Sequence, residues 1–179
     1  MDNRVRGRSA ALYVSLVGIM AASIECGKLA LSFLPNVEVV TLLCALYGYV
    51  FGWAGILGAI VFVAIEPLIW GVNTWIISYI IYWPLVAAIF MLLGKARVKN
   101  RFLLAGVACI LTLFFGVLTS LVDIGLFTGN YDNFFYRFSI YYVRGISFYA
   151  IQLACNAALF PLLFPMLSGK LEAVRKRLL

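Results

Sequence analysis

Long apolar runs, each closed by a short polar or proline-containing break, account for nearly the whole chain. A membrane helix needs about 20 apolar residues, within a range of about 17–25. On that measure the pattern predicts helices over 9–31, 37–50, 54–65, 74–93, 102–127 and 134–167. Leu34-Pro35-Asn36 breaks the first run, since proline cannot continue a helix. A turn is expected near residues 51–53, inside a stretch punctuated by Gly48, Gly52, Gly55 and Gly58. Glu66-Pro67 is read as the end of the third helix, with a loop running to Asn73. Pro84 falls inside the fourth helix, where a kink is expected. The sixth run is too long for a simple span, so its outer turns are expected to project beyond the hydrocarbon.

Charge turns this list of helices into a topology. Eleven of the fourteen Lys and Arg residues fall in three patches: Arg4/Arg6/Arg8, Lys95/Arg97/Lys99/Arg101 and Lys170/Arg175/Lys176/Arg177. Positive charge beside membrane spans collects on the cytoplasmic side. The chain therefore crosses an even number of times between patches, and 1–8, 94–101 and 168–179 read as cytoplasmic. The expected fold is an all-α integral membrane protein: one domain over 1–179, a compact bundle of six transmembrane helices with both termini cytoplasmic. The short second and third runs leave one alternative, a re-entrant hairpin, which keeps the same parity.

Composition agrees and narrows the function classes. Hydrophobic residues are 65% and charged residues 12%, and mean hydropathy is +1.04, far from a soluble domain. The net charge of +7 does not indicate nucleic acid, because the basic residues sit at span ends. The arginines before the first apolar run resemble a signal peptide, but that run continues without a convincing cleavage site, so a retained helix is expected. Cys26, Cys44, Cys109 and Cys155 stand singly in apolar segments, without the spacing of a metal site or disulfide framework. With no histidine, His-based metal ligation and Ser–His catalysis are excluded. There is no phosphate-binding loop. The chain is therefore not expected to be an enzyme or to need a cofactor. The absence of a convincing internal repeat disfavours an inverted-repeat transporter.

The outer segments 32–37, 66–73 and 128–133 hold Asn36, Glu66, Trp70, Asn73, Asn130, Tyr131 and Asp132, with Glu38 and Trp75 beside them. The sixth helix opens on Phe134, Phe135, Tyr136, Arg137, Phe138, Tyr141, Tyr142 and Arg144. Tryptophan and tyrosine favour the membrane interface, so a single one could be only an anchor. Aromatics clustered with amides and charges are what a pocket for a flat polar molecule requires. The expected binding set is Asn36, Glu66, Trp70, Asn73, Trp75, Tyr79, Asp123, Tyr131, Arg137, Tyr141 and Arg144, with Arg144 foremost. Charges inside a membrane are costly unless paired or wet. Glu25 and Lys28, spaced i and i+3, are expected to form an ion pair, and Asp123 to pair with Arg137 or Arg144. Gln152 and Asn156 lie deeper and are read as hydrogen-bonding partners between helices. Ala11, Ser15, Gly18, Ala22 and Cys26 place small residues on one face of the first helix, for packing within the bundle or against a membrane partner.

The chain resembles the substrate-binding S components of energy-coupling factor vitamin transporters. The resemblance rests on size, the six-span pattern, the small-residue first helix, the stretch Leu34-Pro-Asn-Val-Glu-Val-Val-Thr-Leu-Leu43 with the glycines after it, and Glu66-Pro-Leu-Ile-Trp-Gly-Val-Asn-Thr-Trp75. It implies a high-affinity vitamin pocket near the outer surface of a prokaryotic plasma membrane. It also implies partners: a transmembrane coupling subunit and two ATPase subunits. The family's Ala-xxx-Ala docking motif is matched by Ala11-xxx-Ser15, with Gly18-xxx-Ala22 after it, and the serine is a departure. A standalone secondary transporter using Asp123, Glu25 or Glu66 as proton carrier, and a non-catalytic scaffold, are the alternatives.

The topology has a direct test. Lys99→Cys, in a background lacking the native cysteines, is expected to resist an impermeant thiol reagent applied to intact cells. Labelling from outside would overturn the orientation.

Overall fold

The computed structural model describes residues 2–127 and 132–178, with side chains over 10–126 and 132–178. Every regular element in them is helical: α1 (Asp2–Leu31), α2 (Val40–Phe51), α3 (Trp53–Trp70), α4 (Trp75–Lys95), α5 (Arg101–Val122), a π-helical turn at Asp123–Phe127, α6 (Phe134–Arg144) and α7 (Ile146–Leu178). Among the described residues five helices are long and apolar enough to cross a membrane, and α2 is a shorter apolar helix.

α2 lies at the centre. It packs most extensively on α4, and also on α3, α7 and α1. Nine of its twelve residues are buried, as expected of a helix that is apolar all round. Two glycines permit this position. At Gly48 an added Cβ would run into the backbone carbonyl of Ala87 on α4, so the two backbones meet directly. Gly52 has φ 62°, a conformation that side-chain-bearing residues rarely adopt, and it alone joins α2 to α3. On the other side α5 packs against α7, and α1 closes the bundle against α3. Tyr82, Phe62, Phe90, Phe160 and Phe164 fill the core.

The boundaries differ from the sequence pattern in several places, three of which bear on the site and the basic end. Glu66-Pro67 does not end α3. Pro67 lacks an N–H and so forfeits one helical hydrogen bond, yet the helix runs on to Trp70. It closes at Gly71, whose N–H donates to the Pro67 carbonyl at 3.0 Å. Glu66 is therefore a core residue of α3 rather than part of a loop. The long sixth run divides at Gly145 into α6, none of whose residues is buried, and the 33-residue α7. The Tyr149 ring occupies the space that a side chain at position 145 would need. Finally, the basic segment expected to follow the last helix is its continuation, to Leu178.

The two ends of the bundle are unlike. At one, the Tyr49 hydroxyl donates to the Val98 carbonyl at 2.9 Å and Arg175 Nη1 donates to the Val50 carbonyl at 2.6 Å. These bonds join the C-terminal end of α2 to the α4–α5 connection and to α7. Asn100 caps α5 there, accepting from the Phe102 and Leu103 N–H groups at 3.0 and 3.3 Å. At the other end lie the C-terminal turns of α1 and α3 and the first turns of α2 and α4.

Gly48→Ala is expected to destabilise the chain by about 1–3 kcal/mol through overpacking. Gly18→Ala, where nothing lies within 4 Å, is the control and should be neutral. Thermal unfolding in detergent reads both.

Candidate functional site

The last turn of α1 presents Lys28 to α3. Its ammonium pairs with the Glu66 carboxylate, which is fully buried, while the Lys28 side chain keeps 24% exposure. Three rings surround the same nitrogen: Trp70, Tyr79 and Trp75, with centroids at 5.1, 5.3 and 5.5 Å. A cation over an aromatic face gains about 0.5–1 kcal/mol when exposed and about 2 when desolvated, and the part-buried Lys28 lies between these limits. The aromatic surface continues down α4, with Trp75–Tyr79 at 4.8 Å and Tyr79–Trp83 at 5.4 Å. Spacing of four residues stacks these side chains on one face of the helix.

Over Lys28 opens a cavity of about 470 Å³. Trp70, Trp75 and Tyr79 form an aromatic wall, the 31–38 connection forms another, and Gln152 of α7 completes it. Asn36, in the left-handed region at φ 63°, lies in that connection. Glu38 is held by its neighbours, accepting from the Thr41 N–H at 2.8 Å and the Thr41 hydroxyl at 2.5 Å. Asn156 of α7 donates to it at 3.4 Å and to Thr112 of α5 at 2.9 Å. The cavity floor is thereby tied to α5 and α7. With an aromatic wall, one ammonium and several amide and carboxyl groups, the site can hold a small flat molecule and orient its polar edge.

Beneath Lys28 two carboxyl groups meet one ammonium. Glu25 is 6% exposed and its carboxyl faces that of Glu66. Apart from one another, neither Glu25 oxygen nor Glu66 Oε1 has a hydrogen-bond partner. The ion pair expected within α1, Glu25 to Lys28, is replaced by one between helices. The i, i+3 spacing allows the local pair, but tertiary packing brings Glu66 and the rings to the ammonium.

Of the residues proposed from sequence, Asn36, Trp70, Trp75 and Tyr79 line the cavity, and Glu66 lies directly under it. Asn73 accepts from the Thr74 N–H at 2.6 Å and is outside the lining. Asp123, in the π-helical turn, faces the Tyr141 hydroxyl on α6, with Arg144 nearby. Tyr141, Arg137 and Arg144 belong to α6, which contributes nothing to the lining. Tyr131 lies outside the described residues. The sequence pairs Lys28 with Glu25 and makes Gln152 a link between helices, and neither is in the expected binding set. A cation one turn from the end of an apolar helix, opposite an aromatic pair, was the signal available. On α1, Ala11, Ser15, Gly18, Ala22 and Cys26 are all exposed, and the core face is Leu16, Val17, Met20, Ala21 and Ile24. The small-residue stripe thus points away from the bundle. No protein-family model, curated protein or solved structure matches the chain.

The two glutamates are expected to respond differently to substitution. Glu66→Gln strands the Lys28 ammonium and should cost somewhat less than the roughly 3–5 kcal/mol of breaking a fully buried pair. Glu25→Gln brings N–H donors to oxygens that lack them and should be neutral or stabilising. Unfolding of the two purified variants checks the order, and a reversed order would overturn this account of the pair.

Proposed function

We propose that the chain is a membrane-embedded substrate-binding subunit for uptake of a vitamin or related micronutrient, working with a separate ATP-hydrolysing module. The observation that carries this reading is the aromatic cavity over Lys28, at the end of the bundle opposite the basic α4–α5 connection and the basic end of α7. Under the positive-inside rule the basic end is cytoplasmic, which turns the cavity outward, where a nutrient arrives. In this reading α2 is a short sixth span and both termini are cytoplasmic. The exposed stripe of Ala11, Ser15, Gly18 and Ala22 supports a docking face for a transmembrane coupling subunit, since small residues let helices approach closely. Two ATPase subunits complete the proposed assembly, in the plasma membrane of a prokaryote.

A second reading, a standalone proton-coupled transporter, draws support from the unpartnered buried oxygens of Glu25 and Glu66. Uptake persisting without any ATPase would favour it.

Binding by the purified chain to a vitamin panel, followed by native mass spectrometry, tests the pocket. Trp70→Ala is expected to weaken binding about tenfold or more, one decade for each 1.4 kcal/mol. Ala11→Trp and Ser15→Trp should leave that binding intact and abolish uptake by cells. Binding unmoved by Trp70→Ala would place the pocket elsewhere, and wild-type uptake by both α1 variants would exclude that face as the docking surface.

A further inference from the structure

The basic end of the bundle holds two hollows that share a wall. The first, about 350 Å³, brings together Arg97 and Lys99 of the α4–α5 connection with Arg175 and Lys176 of α7, beside Glu172. The second, about 210 Å³, continues from it over Leu104 of α5 and over Phe164 and Pro165 of α7. Tyr49, Lys99 and Glu172 border both.

This is more than a solvated run of charge, because the walls are held. Arg175 is committed to the Val50 carbonyl and Tyr49 to the Val98 carbonyl, so the connection, α2 and α7 cannot simply splay apart. The cations around the first hollow outnumber the carboxylate, and their mutual repulsion is relieved by an anion placed among them. A free anion would need only that hollow. The second has a different chemistry: below a polar rim of Lys99, Ser168 and Glu172, it runs over Leu104, Phe164 and Pro165, an apolar floor between two long apolar helices. A charged compartment opening onto an apolar floor with a polar rim matches an amphiphile with an anionic head. Basic pockets between helices on the cytoplasmic side are suited to acidic lipid headgroups.

We infer that this end of the protein binds an anionic phospholipid, its phosphate among Arg97, Lys99 and Lys176 and an acyl chain in the groove between α5 and α7. Such a lipid would bridge the α4–α5 connection, α5 and α7. The inference rests on the chain lying in a bilayer, and not on what the cavity at the opposite end binds.

The test is native mass spectrometry of the full chain purified in detergent. The probes are phosphatidylglycerol, phosphatidylcholine of the same acyl chains, and glycerol phosphate. Phosphatidylglycerol is expected to be retained at least tenfold more tightly than phosphatidylcholine, and glycerol phosphate in excess should not displace it. Lys99→Gln combined with Lys176→Gln should weaken phosphatidylglycerol roughly thirtyfold, the weight of two lysines at a membrane surface. Lys170→Gln, which borders neither hollow, should change nothing. Equal retention of the two lipids overturns the inference, as does full retention by the double variant. Displacement by glycerol phosphate overturns the lipid and leaves a site for small anions. The comparison of probes uses the unaltered chain, so it decides the matter even if the double variant fails to fold.

Discussion

A twelve-residue helix at the centre of the bundle is the constraint on which the rest of the architecture depends. At 1.5 Å per residue α2 spans about 18 Å, well short of the roughly 30 Å of bilayer hydrocarbon. It nevertheless touches four other helices, and both of its ends need partners from elsewhere. At the first turn, Glu38 accepts from the backbone and side chain of Thr41 and is reached by Asn156. At the last, the Val50 carbonyl is satisfied by Arg175 from the far end of the chain. The connection that leads into α2 forms one wall of the cavity. The hydrogen bonds that hold its exit help to build the basic hollow. The close contact at Gly48 allows α2 and α4 to approach backbone to backbone, and so places the aromatic face of α4 beside that connection.

The two ends handle charge in opposite ways. At the cavity end a lysine is drawn inward, paired with a buried glutamate and boxed by rings, where low dielectric strengthens every term. Unpartnered carboxyl oxygens remain beneath it, an arrangement costly enough in an apolar surround to mark this as the chemically specialised part of the molecule. At the opposite end the cations stay at the rim, with apolar surface below them. The proposed binding site at one end and the proposed acidic-lipid site at the other are compatible with a single orientation in the membrane. In that orientation the outward small-residue stripe of α1 lies along the lipid-facing side, open to a partner.

The sequence by itself determined the helical, apolar class of the protein, the order of its apolar segments, and two basic stretches, in the α4–α5 connection and at the end of α7, that meet at one end of the bundle. These follow from local hydropathy and charge, which need no knowledge of neighbours. It also identified the aromatic and amide residues at 36, 70, 75 and 79, because polar and aromatic groups cluster at span ends for reasons legible in one dimension. Only the tertiary structure decided which partner Lys28 takes. Spacing within α1 offered Glu25, but Glu66 and three rings converge on the ammonium from α3 and α4, and contacts between helices outweigh one local pair. Packing also decided that α3 continues through Pro67, carrying Glu66 into the core, and that the aromatic, cationic run 134–144 forms a separate helix at the surface rather than a wall of the cavity. The direction in which the small stripe of α1 faces was settled in the same way. Periodicity shows that small residues share a face, whereas burial of Leu16, Met20 and Ile24 on the other side turns that face outward.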